Sequence, residues 1–310
     1  MSMNNRTLFI VALIGLVGLF FGGSDLVDTR SFKHAWDLGH IFLFAIWTVL
    51  LLRHWPWLRA VSFGMQALVV LMLCMIVGTG IEFGQSVFGR YSSVDDLIRD
   101  VIGSLLALLF WFPKRLDLGQ PWRRLLQTLF IAALLVAFVP VTRSLVDEWA
   151  AWRQFPRLAD FEAPFELDRW SGNAALTIDH THVWAGRSAL RIDLGTDLYS
   201  GAALDYFPGN WIGWGQLKCH IFNPDTAPIR LTFKINDHHH DMTGYRFEDR
   251  FNRSRDILPG WNHIKIDLAD AVSAPKDREM DLTWITVFQL FSISLPEPRT
   301  IYLDHLMLEP

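Results

Sequence analysis

The apolar residues of this 310-residue chain are crowded into its first half. Runs at Thr7 to Phe21, Trp36 to Leu52, Val61 to Ile81, Leu97 to Phe112 and Leu125 to Val141 each approach the roughly 20 residues that a helix needs to cross a bilayer. In hydrocarbon every backbone N–H and C=O must be satisfied inside the segment, so such runs are committed to helix. The pattern predicts five transmembrane helices within residues 1–142. Arg6 ahead of the first run has the look of a secretory leader. Four more runs follow it and no small-x-small cleavage site stands behind it, so we read it as an anchor.

Basic residues near the helix ends set an orientation. Arg53 and Arg59 fall in the second loop, and Lys114, Arg115, Arg123 and Arg124 in the fourth. Both loops read as cytoplasmic, although Arg30, Lys33, Arg90 and Arg99 dilute the contrast. The amino terminus is then cytoplasmic, and residues 23–35, 83–96 and everything after 141 lie on the opposite side. The net charge of -4 speaks against a general nucleic-acid binder. The two cysteines, Cys74 and Cys219, cannot build a disulfide framework.

After the last run the text changes character. Residues 143–157 are a polar, tryptophan-containing connector, and from Leu158 onward short alternating segments replace the apolar runs. Residues 188–194, 216–222, 229–235, 263–268 and 300–304 alternate apolar with polar, the period of half-buried strands. Asn223-Pro224-Asp225, Pro259-Gly260-Trp261-Asn262 and Pro296-Glu297-Pro298 supply turns between them. The expected fold is therefore a membrane all-α bundle followed by an extracytoplasmic all-β jelly-roll sandwich over residues 158–310.

Charged and amide groups gather between the third and fourth runs, at Glu82, Gln85, Arg90, Asp95, Asp96, Arg99 and Asp100. A charge at the bilayer centre costs about 2.5–3.5 kcal/mol on insertion scales, so such groups pair with one another or line a polar site. On a helix Glu82 and Gln85 share a face, as do Asp96, Asp100 and Gly103. His40, a few residues into its own run, lies at the same membrane side. The candidate ligand-binding residues are Asp37, His40, Glu82, Gln85, Arg90, Asp96 and Asp100; His40, Glu82 and Asp96 are the candidates for acid–base work. Two other readings stand beside this one: a divalent ion bridging a phosphate, and structural glue such as Arg90 paired with Asp95 or Asp96. Gly78, Gly80 and Gly84 suit close helix approach.

In the second half, Asn236, Asp237, His239, Tyr245, Arg246, Glu248, Asp249, Arg250 and Asn252 form a run dense in planar hydrogen-bonding groups with an aromatic ring among them, the chemistry that holds a sugar. Against it stands a plain solvated loop with an Asp249–Arg250 ion pair. Trp211 and Trp214 read either as a stacking platform or as sandwich core. His238-His239-His240-Asp241 invites a metal reading, but consecutive side chains diverge and rarely meet on one ion. No nucleophile elbow, phosphate loop, paired zinc ligands or dinucleotide-binding glycine pattern is present.

Two resemblances follow from these residues. Asp37 and His40, Glu82 and Gln85, Arg90, Asp96 and Gly103, in that order over residues 37–112, resemble the VanZ-like family of small multi-pass membrane proteins, with Asp100 where that family usually has asparagine. The family's namesake is linked to glycopeptide antibiotic resistance, so the resemblance implies an envelope role without naming a reaction. Residues 158–310 resemble galactose-binding-like jelly rolls of the carbohydrate-binding-module kind through Asp160-Phe161-Glu162, Trp170, Trp211 to Leu217, Pro259 to Asn262, Met280-Asp281-Leu282 and Tyr302 to Leu306. That likeness implies glycan binding, and it puts Glu162 and Asp304 where related domains hold a structural Ca²⁺.

The sequence thus points to a multi-pass protein of the inner (cytoplasmic) membrane of the cell envelope, with a periplasmic domain. Its polar cluster meets a lipid headgroup or lipid-linked saccharide, and its jelly roll meets envelope glycan. The alternatives are a membrane enzyme acting on polyprenyl-linked envelope precursors, with Arg90 holding a phosphate, and an assembly protein whose jelly roll binds another protein.

Overall fold

The computed structural model describes residues 29–87 and 94–310, with positions 7, 10, 11, 13–15, 17 and 18 ahead of them; for residues 85 and 87 the backbone alone is described. Arg90, the Gln85 side chain and nearly half of the first expected span lie outside the described residues. The chain divides into two compact units, Met1–Thr142 and Arg143–Pro310.

The first unit is helical. It runs through α1 (Arg30–Asp37), α2 (Gly39–His54), α3 (Pro56–Ala60), α4 (Phe63–Val87) and α5 (Val94–Leu106), which widens into a π-turn at Ala107–Trp111. Helix α6 (Gln120–Gln154) starts in this unit, and its last turns belong to the next. Three helical stretches among the described residues are long and apolar enough to cross a membrane: Arg30–His54, Phe63–Gly84 and Gln120–Gln154. The expected span at Leu97 to Phe112 is not among them, because Asp95, Asp96, Arg99 and Asp100 charge its first turns and leave too short an apolar stretch. Along α6 the apolar side chains point away from the protein, with Leu135 and Val136 66% and 69% exposed, as lipid-facing positions do.

Glycines set the approach of these helices. A Cβ at Gly103 on α5 would meet the Ile41 carbonyl oxygen of α2 at 2.3 Å, and one at Gly78 on α4 would meet Asp100 Oδ2 at 2.6 Å. Gly80 faces open space, so of the glycines expected to allow close approach Gly78 has that role and Gly80 does not. Beyond these contacts an apolar cluster of Val49, Leu52, Leu58, Val70, Ala107, Leu108 and Phe112 closes the bundle. Gln66 Nε2 donates to the Leu58 carbonyl at 3.1 Å, and Gln127 Nε2 to that of Leu109 in the π-turn at 2.9 Å. Each donates to a backbone acceptor that the local helix geometry leaves unused.

The second unit is a two-sheet antiparallel sandwich. One sheet has the order β3 (Ala175–Asp179), β4 (Ala189–Leu194), β11 (Arg299–Glu309), β6 (Gln216–Asn223), β9 (Gly260–Asp267), with β1 (Arg157–Ala159) also on β11. The other runs β2 (Trp170–Gly172), β5 (Tyr199–Leu204), β10 (Ile285–Ile293), β7 (Ile229–Asp237), β8 (Phe251–Ile257). The core between them is built by the inward positions of each strand, among them Ile192, Leu217, Phe233, Ile235, Phe288, Leu290 and Leu303. Trp211 is in that core: it is fully buried beside Phe207, which removes it from any surface a sugar can reach.

Candidate functional site

In the helical unit α2 and α5 bring the expected polar residues together. His40 Nδ1 lies 2.9 Å from Asp100 Oδ1, and its Nε2 lies 3.8 Å from Asp96 Oδ2. Glu82, on α4, is within electrostatic reach of both His40 and Asp100. His40, Glu82 and Asp100 are 5%, 5% and 1% exposed. Arg99, absent from the sequence-derived set, pairs with Asp96 and reaches Asp37 at 3.5 Å. Its i,i+3 spacing from Asp96 was the available signal. A histidine held by one carboxylate and approached by a second can hold or pass a proton at Nε2. Equally, four acids, a histidine and an arginine satisfy one another across four helices.

In the sandwich the predicted run splits into buried scaffold and outward-facing groups. Asp237, fully buried, takes a bidentate pair from Arg278, with Nη2 on Oδ1 at 2.8 Å and Nη1 on Oδ2 at 2.5 Å. Arg278 Nε also donates to Asp249 Oδ1 at 2.6 Å, and the Thr243 hydroxyl donates to Oδ2 at 2.8 Å. These bonds hold both carboxyls below the usual carboxylate range. The partner of Asp249 is therefore Arg278 and not Arg250. Asp237 also caps the short helix α7 (His238–Met242), accepting from the His240 N–H at 3.1 Å. The histidine tract diverges within that helix: His238 stacks on Trp284 at 3.9 Å, His239 is exposed, and His240 is buried with Nδ1 3.0 Å from the Asp249 carbonyl. Tyr245 is 65% exposed in the loop after the helix, and Arg246 lines a shallow depression there with Glu248, Asp277 and Arg278.

The remaining groups lie on the outer face of the β2-β5-β10-β7-β8 sheet. Phe233 and Ile235 point into the core, so Thr232, Lys234 and Asn236 point out, and by the same alternation Arg250, Asn252 and Ser254 flank Phe251 outward. Register places Asn252, Lys234, Gln289, Ala203 and Ser171 in one rung across the sheet. The Asn236 and Asn252 Oδ1 atoms and the Arg250 Nε are buried and meet no protein partner. Tyr199, 56% exposed, stands over the neighbouring rung with Phe291, their rings 5.8 Å apart. Lys234, Gln289 and Tyr199 were missed at the sequence level, although the alternation of Ile229 to Ile235 already put Lys234 on the polar face.

The opposite outer face is aromatic. Trp184 stacks on His220 at 4.4 Å and meets Trp261 and His263 edge-on, while His182 lies against Phe222 and Tyr302. Burial and the nearby His263 and His305 push His220 down to about 4.

Calcium needs six to eight oxygen ligands. Glu162 Oε1 instead accepts the Arg187 and Ser188 N–H groups at 2.5 and 2.8 Å, and Asp304 Oδ2 those of Trp184 and Ala185 at 2.7 and 3.0 Å. The one remaining buried oxygen, Asp304 Oδ1, is no cation cage. These carboxylates fasten the β3–β4 loop, and the donor set does not fit calcium. Among the described residues no group of three or more His, Cys, Asp or Glu side chains is placed to hold a metal ion.

Residues 5–116 match the VanZ/LLP1 family. No curated protein matches the chain. Among solved structures, an exo-beta-agarase is similar at 16% identity and TM-score 0.41, over 50% of this chain and 25% of its own. The family 11 carbohydrate-binding module from Clostridium thermocellum in complex with a beta-1,3-1,4-mixed-linked tetrasaccharide is similar at 15% identity and TM-score 0.39, over 49% of this chain and 94% of its own. The matched region thus spans a quarter of the agarase.

Proposed function

We propose, from the premise that residues 5–116 form a VanZ-like domain, that the chain is an inner-membrane protein of the cell envelope whose sandwich recognises glycan outside the cytoplasm. The observation that carries this reading is the outer face of the β2-β5-β10-β7-β8 sheet. There Lys234, Asn252 and Gln289 form a rung beside Asn236 and Arg250, with buried polar atoms that the protein itself leaves unpaired. Buried polar groups are hydrogen-bonded in nearly all folded proteins, so such a set is supporting evidence for a polar ligand. Tyr199 offers an exposed ring beside it for stacking. The basic residues Arg53, Arg59, Lys114, Arg115, Arg123 and Arg124 support an orientation with those loops inside and the sandwich outside. Tethering raises the effective concentration of a weak site toward glycan at the same surface.

The cluster of His40, Glu82, Asp96 and Asp100 is then the place where a lipid headgroup or lipid-linked saccharide is met. A second reading is favoured by the His40–Asp100 pair at 2.9 Å: acid–base catalysis on a polyprenyl-linked precursor.

Affinity electrophoresis of the full chain in nanodiscs against a polysaccharide panel tests the glycan reading. Retardation that Asn252→Ala abolishes and Arg230→Ala, at the far end of the same face, leaves intact is the expected result. Mobility unchanged by every polysaccharide refutes it. Native mass spectrometry of wild type beside Glu82→Ala/Asp96→Ala tests the membrane cluster, a co-purified saccharide lipid lost from the variant being the expected result.

A further inference from the structure

Two cations on the proposed glycan face form no ion pair among the described residues. Lys234 and Arg250 are half-buried and face outward from β7 and from the residue preceding β8. Register sets Lys234 opposite Asn252, and Arg250 stands one position beyond the Ile235–Phe251 pair, beside Asn236. Most of the other arginines and lysines of the sandwich are paired, among them Arg169 with Asp147, Arg191 with Asp193, Arg230 with Asp256, Arg253 with Asp270, Arg278 with Asp237 and Arg299 with Asp225. Among the described residues neither Lys234 nor Arg250 has a carboxylate within ion-pair distance, and the Arg250 Nε is buried without an acceptor. The Phe247 ring, 5.3 Å from the guanidinium, covers one of its faces and leaves its edge to an anion.

The charges around the pair bear this out. Burial and the charge of Arg250 bring Lys234 down to about 8, outweighing Asp241 and Asp205, which act in the opposite sense. Burial likewise lowers Arg250, against a smaller opposing effect of Tyr199. A desolvated cation next to a like charge is held at a cost that an arriving anion relieves. A guanidinium edge accepts a carboxylate, phosphate or sulfate oxygen pair, with the lysine ammonium as a second point of charge. The flanking Asn252, Gln289 and Asn236 amides suit the hydroxyls of the same ring.

We propose that this face selects an anionic saccharide, a sugar bearing a carboxylate, phosphate or sulfate that sits between Arg250 and Lys234. The inference rests on the glycan reading of that face and names the substrate class. The chain's net charge of -4 removes general polyanion attraction as a substitute explanation.

The test uses the full chain in nanodiscs of neutral lipid. Polygalacturonate, its carboxyl-reduced neutral counterpart, a phosphorylated mannan and a sulfated galactan are titrated by biolayer interferometry at about 0.1 M and about 0.5 M salt. The expected result is that at least one anionic polymer binds about tenfold or more tightly than the carboxyl-reduced polymer, weakens with salt, and loses about tenfold or more with Arg250→Gln and with Lys234→Gln. Arg230→Gln, on the same face but paired with Asp256, leaves binding unchanged. Which anionic polymer binds identifies the group recognised. Equal binding of polygalacturonate and its reduced form, with no response to the phosphorylated or sulfated polymer, overturns the charge inference while the glycan reading survives. Binding of none of the four, alongside a wider neutral panel that also fails, overturns the glycan reading itself. The comparison of charged and reduced polymers needs wild type alone, so a variant that does not fold leaves the outcome readable.

Discussion

Asp147, near the end of α6, and Arg169, just ahead of β2, form a fully buried bidentate ion pair. The Arg169 Nε lies 2.9 Å from both carboxylate oxygens and Nη2 lies 2.8 Å from Oδ1. Nη1 also donates to the Leu158 carbonyl at 3.1 Å, so one guanidinium fastens the last turns of the helix to the first strand of the sandwich. Removing one partner of such a pair strands a charge without solvent, at about 3–5 kcal/mol. Asp147→Asn is therefore expected to lower the thermal midpoint of the sandwich transition, followed by intrinsic fluorescence in detergent, and Asp147→Asn/Arg169→Met to recover part of the loss. An unchanged midpoint in the single variant refutes the assignment.

Gly103 on α5 meets the backbone of Ile41 on α2, and a backbone atom cannot swing aside as a side chain can. Gly103→Ala is expected to cost at least about 1–3 kcal/mol, the usual range for overpacking. Gly80→Ala, with nothing within 4 Å of the new methyl, is its matched control and is expected to be neutral. Equal thermal midpoints for the two variants in detergent contradict this packing.

Legibility varied with how many faces of an element are buried. Strands β4, β6 and β9 bury mainly one face, and β7 and β11 carry polar or amphipathic residues on the second face even where Thr232, Asn236, Tyr302 and Asp304 are buried, so the alternation of all five was readable within a few residues. β10 reads Ile-Thr-Val-Phe-Gln-Leu-Phe-Ser-Ile with Phe291 and Ser292 both buried, and two buried faces erase the period. β8 fails in the opposite sense: as an edge strand it reads Asn-Arg-Ser-Arg-Asp between two core residues and looks like a loop. The partners of Asp249 and Asp237 were not legible, because Arg278 comes from 29 and 41 residues away. In the membrane unit the i,i+4 spacing puts Asp96 and Asp100 on one face and the shared membrane side adds His40, and the structure brings these three side chains together. Arg99 stands in the polar gathering but outside the candidate set, because its ion pair with Asp37 joins residues far apart in the chain.

His40 and Asp100 meet at 2.9 Å with both side chains buried, so each satisfies the other in an environment that offers no water. A hydrogen bond to a charged group is worth about 1.5–3 kcal/mol. Asp100→Asn keeps the shape and the option of one hydrogen bond; Asp100→Leu keeps neither. The expected order of detergent thermal stability is wild type, then Asn, then Leu. A leucine variant as stable as wild type assigns the pair no structural weight.

The sandwich holds two titrating groups that act against each other as pH falls. His220, stacked under Trp184, is pushed from its ordinary 6.5 down to about 4 by burial and by His263 and His305. Between those values the unfolded chain binds the proton and the folded one does not, so this group's contribution is complete above about 6.5 and drains away toward pH 4. Glu166, 1% exposed, is raised from 4.5 to about 7 by burial, against the pull of Arg169. Its contribution is complete below 4.5 and is lost as pH rises through 7. The two slopes oppose each other across the shared window, so each variant exposes the other group. His220→Gln is expected to gain stability relative to wild type as pH drops from 7 to 5, and Glu166→Gln to lose it, each by a few degrees, roughly the scale of 1 kcal/mol in a domain this size. Thermal midpoints recorded across that range decide the matter, with Trp184 emission as the local reporter. Profiles for His220→Gln that run parallel to wild type would show that the imidazole keeps its ordinary proton affinity under the tryptophan.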